Sequence, residues 1–178
     1  FEALLTGDPG LPAHRDTVRA TATDDEGNGT SGTDDAVVAF TDAPPAVAVT
    51  KSPSVGLVPE PGGTVTFSVV VENLSVEEVT LTSLVDSVFG DLRDAANPAV
   101  ANNTCPLNPA VIPMGGTFSC SFDAYLAGSA LDPGHRNQVT ANAVDDEGGL
   151  ATAVDEAAVA FGDLPPSVTV AKTPSAGS

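Results

Sequence analysis

The chain repeats itself. Residues 1–57 align without a gap onto residues 122–178, an offset of 121 positions, and roughly half of the aligned residues are identical. The stretch from His14 to Phe40, HRDTVRATATDDEGNGTSGTDDAVVAF, returns from His135 to Phe161 as HRNQVTANAVDDEGGLATAVDEAAVAF. After it, TDAPPAVAVTKSPS returns as GDLPPSVTVAKTPS. Equal spacing of equal turn chemistry demands equal topology. Each copy carries a Pro-Pro pair between two strand patterns, Pro44-Pro45 and Pro165-Pro166. Proline fixes φ and has no N–H to give to a ladder, so these pairs are expected to mark domain boundaries. The expected organisation is the back part of one domain (1–43, its last three strands), one complete domain of 121 residues (44–164) and the opening strand of a third (165–178). On this reading the chain starts and stops inside domains.

Within residues 44–164 apolar positions recur with period 2, the signature of half-buried strands. Val65, Phe67, Val69 and Val71 alternate with Thr64, Thr66 and Ser68, the clearest strand in the chain. Val47 and Val49 precede it. Val79 and Leu81 follow, then Phe118, Cys120 and Phe122, then Val139, Ala141 and Ala143, and finally Ala157, Val159 and Phe161. Turn signals such as PEPGG, DPGH and DDEGG separate these runs, which predicts an all-β fold built as an antiparallel sandwich. The Asn- and Pro-rich stretch from Asp91 to Asn108 fits either an edge strand or a long surface loop.

Charge narrows the partners. Six Lys and Arg face 24 Asp and Glu, a formal charge of -18, which argues against nucleic acid or anionic lipid and favours cations. No apolar stretch approaches the roughly 18 residues of a membrane span, so no membrane insertion is expected in this segment. The alternating apolar pattern and a mean hydropathy of +0.12 separate the chain from disordered acidic sequences. Cys105 and Cys120 lie in the one complete domain. A disulfide between them fits an oxidising compartment and would contribute about 3 kcal/mol in the chain-entropy view. Two buried thiols, or one cysteine paired elsewhere, are the alternatives.

The run PPAVAVTKSPSVGLVPEPGGTVTFSVVVENLS, followed by VTLTSLVDSVFGDL and closed by VTANAVDDEGG and AAVAF, resembles the DUF11-like and related immunoglobulin-like repeats of bacterial surface proteins. The resemblance covers nearly the whole repeat. It implies tandem immunoglobulin-like antiparallel β-sandwiches, one complete and two partial, serving as a structural unit of an extracellular or cell-surface fibre, filament or adhesin stalk in a bacterium or archaeon. Its partners would be neighbouring repeats of the same chain, with self-association into filaments as an extension. Lateral packing of such acidic surfaces would draw on cations or on the few basic groups, Lys51, Arg93 and Arg136. A ligand-binding adhesin repeat and an accessory module of a larger surface protein are the alternatives. The chain has no Trp, so the Trp-on-disulfide core of antibody-type domains is absent.

Catalysis is not expected. Each copy offers a single histidine, His14 or His135, expected to hydrogen-bond within a turn beside its neighbouring arginine, although triads assemble across a fold and leave no linear mark. Carboxylates are plentiful, but one Tyr and no Trp cannot line a sugar cleft. The sequons at Asn28, Asn73 and Asn102 are read as accidental.

The acids around the last hairpin predict a divalent cation, Ca2+ by preference. If Val139 faces Phe161, Ala141 faces Val159 and Ala143 faces Ala157, the next pair on that face is Asp145 with Asp155. The earlier copy would set Val18 against Phe40 and Asp24 against Asp34. Like charges directly opposite each other on a core-bearing face are destabilising, and a cation offsets them. Asp146 and Glu147, with Asp25 and Glu26 in the earlier copy, would add hard oxygen ligands. The linker acids Asp42 and Asp163 would join from across a domain junction, with Glu72, Glu77 and Glu78 as weaker contributors. The alternative is a ladder that ends before Asp145, leaving the acids to solvate a wider loop.

Overall fold

A computed structural model describes residues 2–106 and 109–174. Among them every regular element is a strand. Two strands, β1 (His14–Thr23) and β2 (Gly29–Val38), pair only with each other. The remaining nine lie between residues 47 and 162: β3 (Val47–Pro53), β4 (Leu57–Pro59), β5 (Gly62–Asn73), β6 (Val79–Asp86), β7 (Gly90–Asp91), β8 (Ala110–Ile112), β9 (Thr117–Ala127), β10 (His135–Val144) and β11 (Leu150–Gly162). One sheet runs β3-β5-β9. The other runs β4-β11-β10-β6-β7, with β8 also pairing with β6. Pairing is antiparallel except for the short β4–β11 contact.

The two sheets form a sandwich-like body closed by the residues that alternate inward. Val65, Phe67, Val69 and Val71 of β5 and Phe118, Cys120, Phe122, Ala124 and Leu126 of β9 are buried on one side; Val79, Leu81 and Leu84 of β6, Val139, Ala141 and Ala143 of β10, and Ala157 and Val159 of β11 are buried on the other. Burial of each Val, Leu or Phe side chain contributes about 1.5–3 kcal/mol before chain entropy is counted. Phe67, Phe89 and Phe122 cluster at one end, with ring centroids 5.4–5.9 Å apart.

Cys105 and Cys120 form a disulfide with Cα atoms 5.0 Å apart, tying the long connection after β6 onto β9. That connection contains β7 and an isolated bridge from Ala101 to Asp123. Asparagine side chains supply much of the rest. Asn97 Nδ2 donates to the carbonyls of Phe89 and Asp91, both at 2.8 Å, and Asn103 Nδ2 donates to that of Leu92 at 2.8 Å. Side-chain amides here do what a ladder does elsewhere, which is why the composition showed no strand period.

Four sequence expectations change. Residues 2–6 align with the end of β9 but form no strand, so the 1–43 stretch has two strands and not three; β9 pairs with β5, and no strand equivalent to β5 lies beside the earlier copy. Residues 165–174 form no strand for the same reason, since their equivalent, β3, is held by β5; the last residues, 175–178, lie outside the described residues. Lys51 is no surface cation. It follows Val47 and Val49 on the inward face of β3 and is 4% exposed, paired with Asp86. His135 is likewise not a turn residue: it opens β10, and its ring stacks on Phe89 with centroids 5.5 Å apart. Burial, followed by the Lys51 charge, lowers its pKa.

Candidate cation site at the junction

The last hairpin is tighter than the sequence register allowed. Val139 pairs with Asp155, Ala141 with Ala153, Ala143 with Ala151 and Val144 with Leu150. The earlier copy matches it, with Val18 opposite Asp34 and Thr23 opposite Gly29. Asp145 therefore does not face Asp155, and Asp24 does not face Asp34. The ladder ends before each DDEG, and those residues are the turn itself: Asp145 N donates to Gly149 O at 3.2 Å and Gly149 N to Asp145 Oδ1 at 2.6 Å, with Gly148 at φ 86°. In the earlier copy Asp24 N donates to Asn28 O at 3.0 Å and Asn28 N to Asp24 Oδ1 at 2.7 Å, with Gly27 at φ 87°. Glycine takes this left-handed conformation without steric cost, which fixes the tight turn and hence the register. Asp155 is displaced from the tip to the middle of β11, where Oδ2 accepts the Lys51 N–H at 2.7 Å.

The acids meet elsewhere. The turn at Asp145 lies beside the β5–β6 loop and the linker from residues 1–43. Asn73, 1% exposed, shapes that loop by donating Nδ2 to the carbonyls of Glu77 at 2.7 Å and Ile112 at 2.9 Å. Both amide hydrogens are thereby used, so this sequon is structural. The linker docks on the same loop: Ala46 N donates to Ser75 Oγ at 2.9 Å, and Leu74 N to Ala46 O at 2.9 Å. From the other side comes the turn at Asp8, where Gly10 N donates to Asp8 Oδ1 at 2.6 Å. The Phe40 ring lies over Gly7, where a Cβ would be 2.2 Å from it, as the Phe161 ring lies over Gly128 in the later copy.

Asp8, Asp146 and Glu147 bring one carboxylate oxygen each within 4.8 Å of one another, and Asp42, Glu77 and Glu147 do the same. Glu147 belongs to both groups. Gly7, Asp8, Glu77, Glu78 and Asp146 line a depression of about 380 Å³ between them. Two carboxylate oxygens of the neighbouring loops are buried without a hydrogen-bond partner, Glu77 Oε2 and Asp145 Oδ2, and Asp145 is only 7% exposed. The crowding shows in the proton affinities. Loss of hydration, then the hydrogen bond and charge of Asp146, then the charge of Asp8, push the Glu147 pKa up to about 7. Loss of hydration, then the charges of Asp146, Asp42, Asp145 and Asp8, raise that of Glu77. Carboxylate oxygens at this spacing are the hard donor set that Ca2+ takes, six to eight at about 2.3–2.6 Å.

Of the acids singled out in sequence, Asp42, Glu77, Asp146 and Glu147 enter the two clusters, and Asp145 lies beside Glu77. Asp24, Asp25, Glu26 and Asp34 are exposed on the isolated hairpin. Asp163 lies at the opposite pole, hydrogen-bonded to Glu60, which also accepts the backbone N–H groups of Ala130 at 3.0 Å and Leu164 at 3.3 Å. Glu72 is exposed on β5 opposite Ala48 and joins neither cluster. Asp8 escaped the sequence reading because its counterpart in the later copy is Ser129; only its GDPG turn marked it as ordered. Among the described residues no helix is long and apolar enough to cross a membrane. A scan against protein-family models finds no match to this chain, and a search of curated proteins finds none.

Proposed function

We propose that this chain is a segment of tandem immunoglobulin-like repeats from an extracellular or cell-surface stalk or filament, and that Ca2+ stiffens the junction between successive repeats. The observation that carries this reading is the convergence of Asp8 and Asp42, from one side of the Pro44-Pro45 linker, with Glu77, Asp146 and Glu147 from the other. Without a cation these like charges repel across the linker and oppose its closed arrangement. A bound divalent ion turns the repulsion into a bridge, and the unpaired oxygens of Glu77 and Asp145 gain a partner. The hydrogen bonds of Ala46 to the β5–β6 loop already limit bending. The result is a rod whose rigidity depends on the ion. Disulfide formation supports an oxidising compartment, and an affinity on the order of 10⁻⁴–10⁻³ M is what extracellular modules use.

Isothermal titration of Ca2+ into the chelator-treated chain tests the proposal, with melting temperature and X-ray scattering followed in parallel. Saturable uptake, a higher melting temperature and a more extended, less variable interdomain shape are expected, all lost in Glu77→Gln/Glu147→Gln. No heat and no thermal shift at millimolar Ca2+ would leave the acids as a solvated surface and remove the ion from the account.

A further inference from the structure

The second constellation in this molecule lies in its core. Lys51 of β3 and Asp86 at the end of β6 are ion-paired with no side-chain exposure on either partner. Asp86 is held from every direction: Oδ1 accepts the N–H groups of Val88 at 2.9 Å and Phe89 at 3.0 Å, while Oδ2 accepts both Lys51 Nζ and, at 2.8 Å, Asn137 Nδ2. Asn137, on β10, is 2% exposed, and its Oδ1 is buried with no partner. Phe67, Phe122 and Phe89 surround the amine, with Nζ 4.7, 5.7 and 5.9 Å from the ring centroids. An amine, a carboxamide and a carboxylate that touches both are thus enclosed in a pocket walled by aromatic rings.

We propose that Lys51 and Asn137 are a site of self-modification, joined by an intramolecular isopeptide bond whose formation Asp86 promotes. The Lys51 ammonium passes a proton to the Asp86 carboxylate, and the neutral Nζ attacks Asn137 Cγ. The protonated Asp86 donates to Asn137 Oδ1, the atom otherwise unpartnered, once the carboxamide turns over; its O and N ends are interchangeable in shape. The Nζ–Cγ bond forms and the Cγ–Nδ2 bond breaks. Asp86 relays the two protons that Nζ loses to Nδ2, which leaves as ammonium, and Asp86 ends as it began. The step is redox-neutral and needs no other reactant. Two physical features favour it. Burial lowers the Lys51 pKa, with its hydrogen bond and charge contact with Asp86 opposing, which shifts the balance toward the nucleophilic neutral amine. The fold also holds nucleophile and electrophile on one carboxylate oxygen, which replaces an encounter by a fixed approach.

The alternative is a buried ion pair with an amide beside it. That arrangement leaves Asn137 Oδ1 buried without a donor, whereas in the reaction the protonated Asp86 supplies one to this oxygen as Cγ is attacked. The product would tie β3 of one sheet to β10 of the other, across most of the repeat's length. A cross-link so placed is an amide, which reductant does not cleave, and it suits a unit that carries tension.

Intact-mass spectrometry of the folded 178-residue chain, reduced and denatured just before injection, decides the matter. The expected mass is lower than the sequence mass by one ammonia, about 17 Da, and digestion should yield a branched peptide containing Lys51 and Asn137. Asp86→Ala and Asn137→Ala should each show the full sequence mass. The full sequence mass in wild-type protein whose circular dichroism and disulfide attest the native fold would overturn the proposal, and this result does not depend on any variant folding.

Discussion

The β1–β2 and β10–β11 hairpins carry nearly the same sequence pattern and adopt the same register and the same glycine-containing turn, yet one is exposed along its whole length and the other lines a core. The difference teaches which information is local. Ladder register follows from a five-residue turn closed by an aspartate and a left-handed glycine, and it forms wherever that turn is written. Burial requires facing strands: β10 has β6 alongside and the β3-β5-β9 sheet opposite, while β1–β2 has neither.

Matched substitutions are the strongest way to sharpen this contrast. Val139 is 0% exposed and Val18, its counterpart, 66%. Val139→Ala should lower the unfolding free energy of the 44–164 body by about 2–3 kcal/mol, through lost burial and a residual cavity. Val18→Ala should change it by less than about 0.5 kcal/mol. Urea titrations of both variants give the comparison. Equal losses would mean that the first hairpin is covered by another surface in solution.

A smaller effect separates the turns. Asn28 and Gly149 occupy the same place in the two copies. Asn28 Nδ2 donates to Asp24 Oδ2 at 2.9 Å, whereas Asp145 Oδ2 has no partner. A Cβ at Gly149 would come within 2.5 Å of Asp145 Oδ2 and 2.9 Å of Pro45 Cδ. Gly149→Asn should therefore displace the linker or Asp145, destabilising the protein by about 1–2 kcal/mol, and weaken Ca2+ uptake in calorimetry. Unchanged uptake would separate Asp145 from the proposed cation site.

The core strands, though not the exposure of the first hairpin, were legible in the residues. Period-2 runs located the strands of the core, and parity put Val139, Ala141, Ala143 and Asp145 on one face. Register was not legible, because DDEGG serves equally as the last rungs of a ladder or as its turn, and only backbone hydrogen bonds distinguish the two. The Lys51 misreading has another cause. Its position after Val47 and Val49 placed it inward, but a lone lysine is so commonly exposed that charge outweighed parity. Asp8 joins Asp146 and Glu147 through the way residues 2–43 pack beside the last turn, which no local pattern encodes.

The junction should also respond to pH in a way the exposed hairpin does not. The Glu147 pKa stands at about 7 and that of Glu77 is raised, so in chelator the folded chain binds protons that the unfolded chain has released. Stability should then fall as pH rises from the ordinary glutamate range through 7. Saturating Ca2+ should flatten that slope, and Glu147→Gln should reduce it without calcium. Melting temperatures between pH 5 and 8 test the sign; a rise with pH in chelator would show that other groups control the junction.

The smallest expected change lies at the tip of β1–β2. The Asp24 pKa is lowered, first by the Asn28 side-chain hydrogen bond and then by the Asn28 backbone N–H. Asn28→Gly recreates the residue found at position 149, removes only the side-chain bond and leaves the backbone bond that closes the turn. Asp24 should then titrate closer to an ordinary aspartate while β1 and β2 keep their register, because register rests on the backbone closure and Gly27. Carboxyl-detected NMR titration reads the first quantity and cross-strand amide contacts the second. A register shift in Asn28→Gly would mean that the side chain sets the turn, and the shared geometry of the two hairpins would then need a separate cause in each copy.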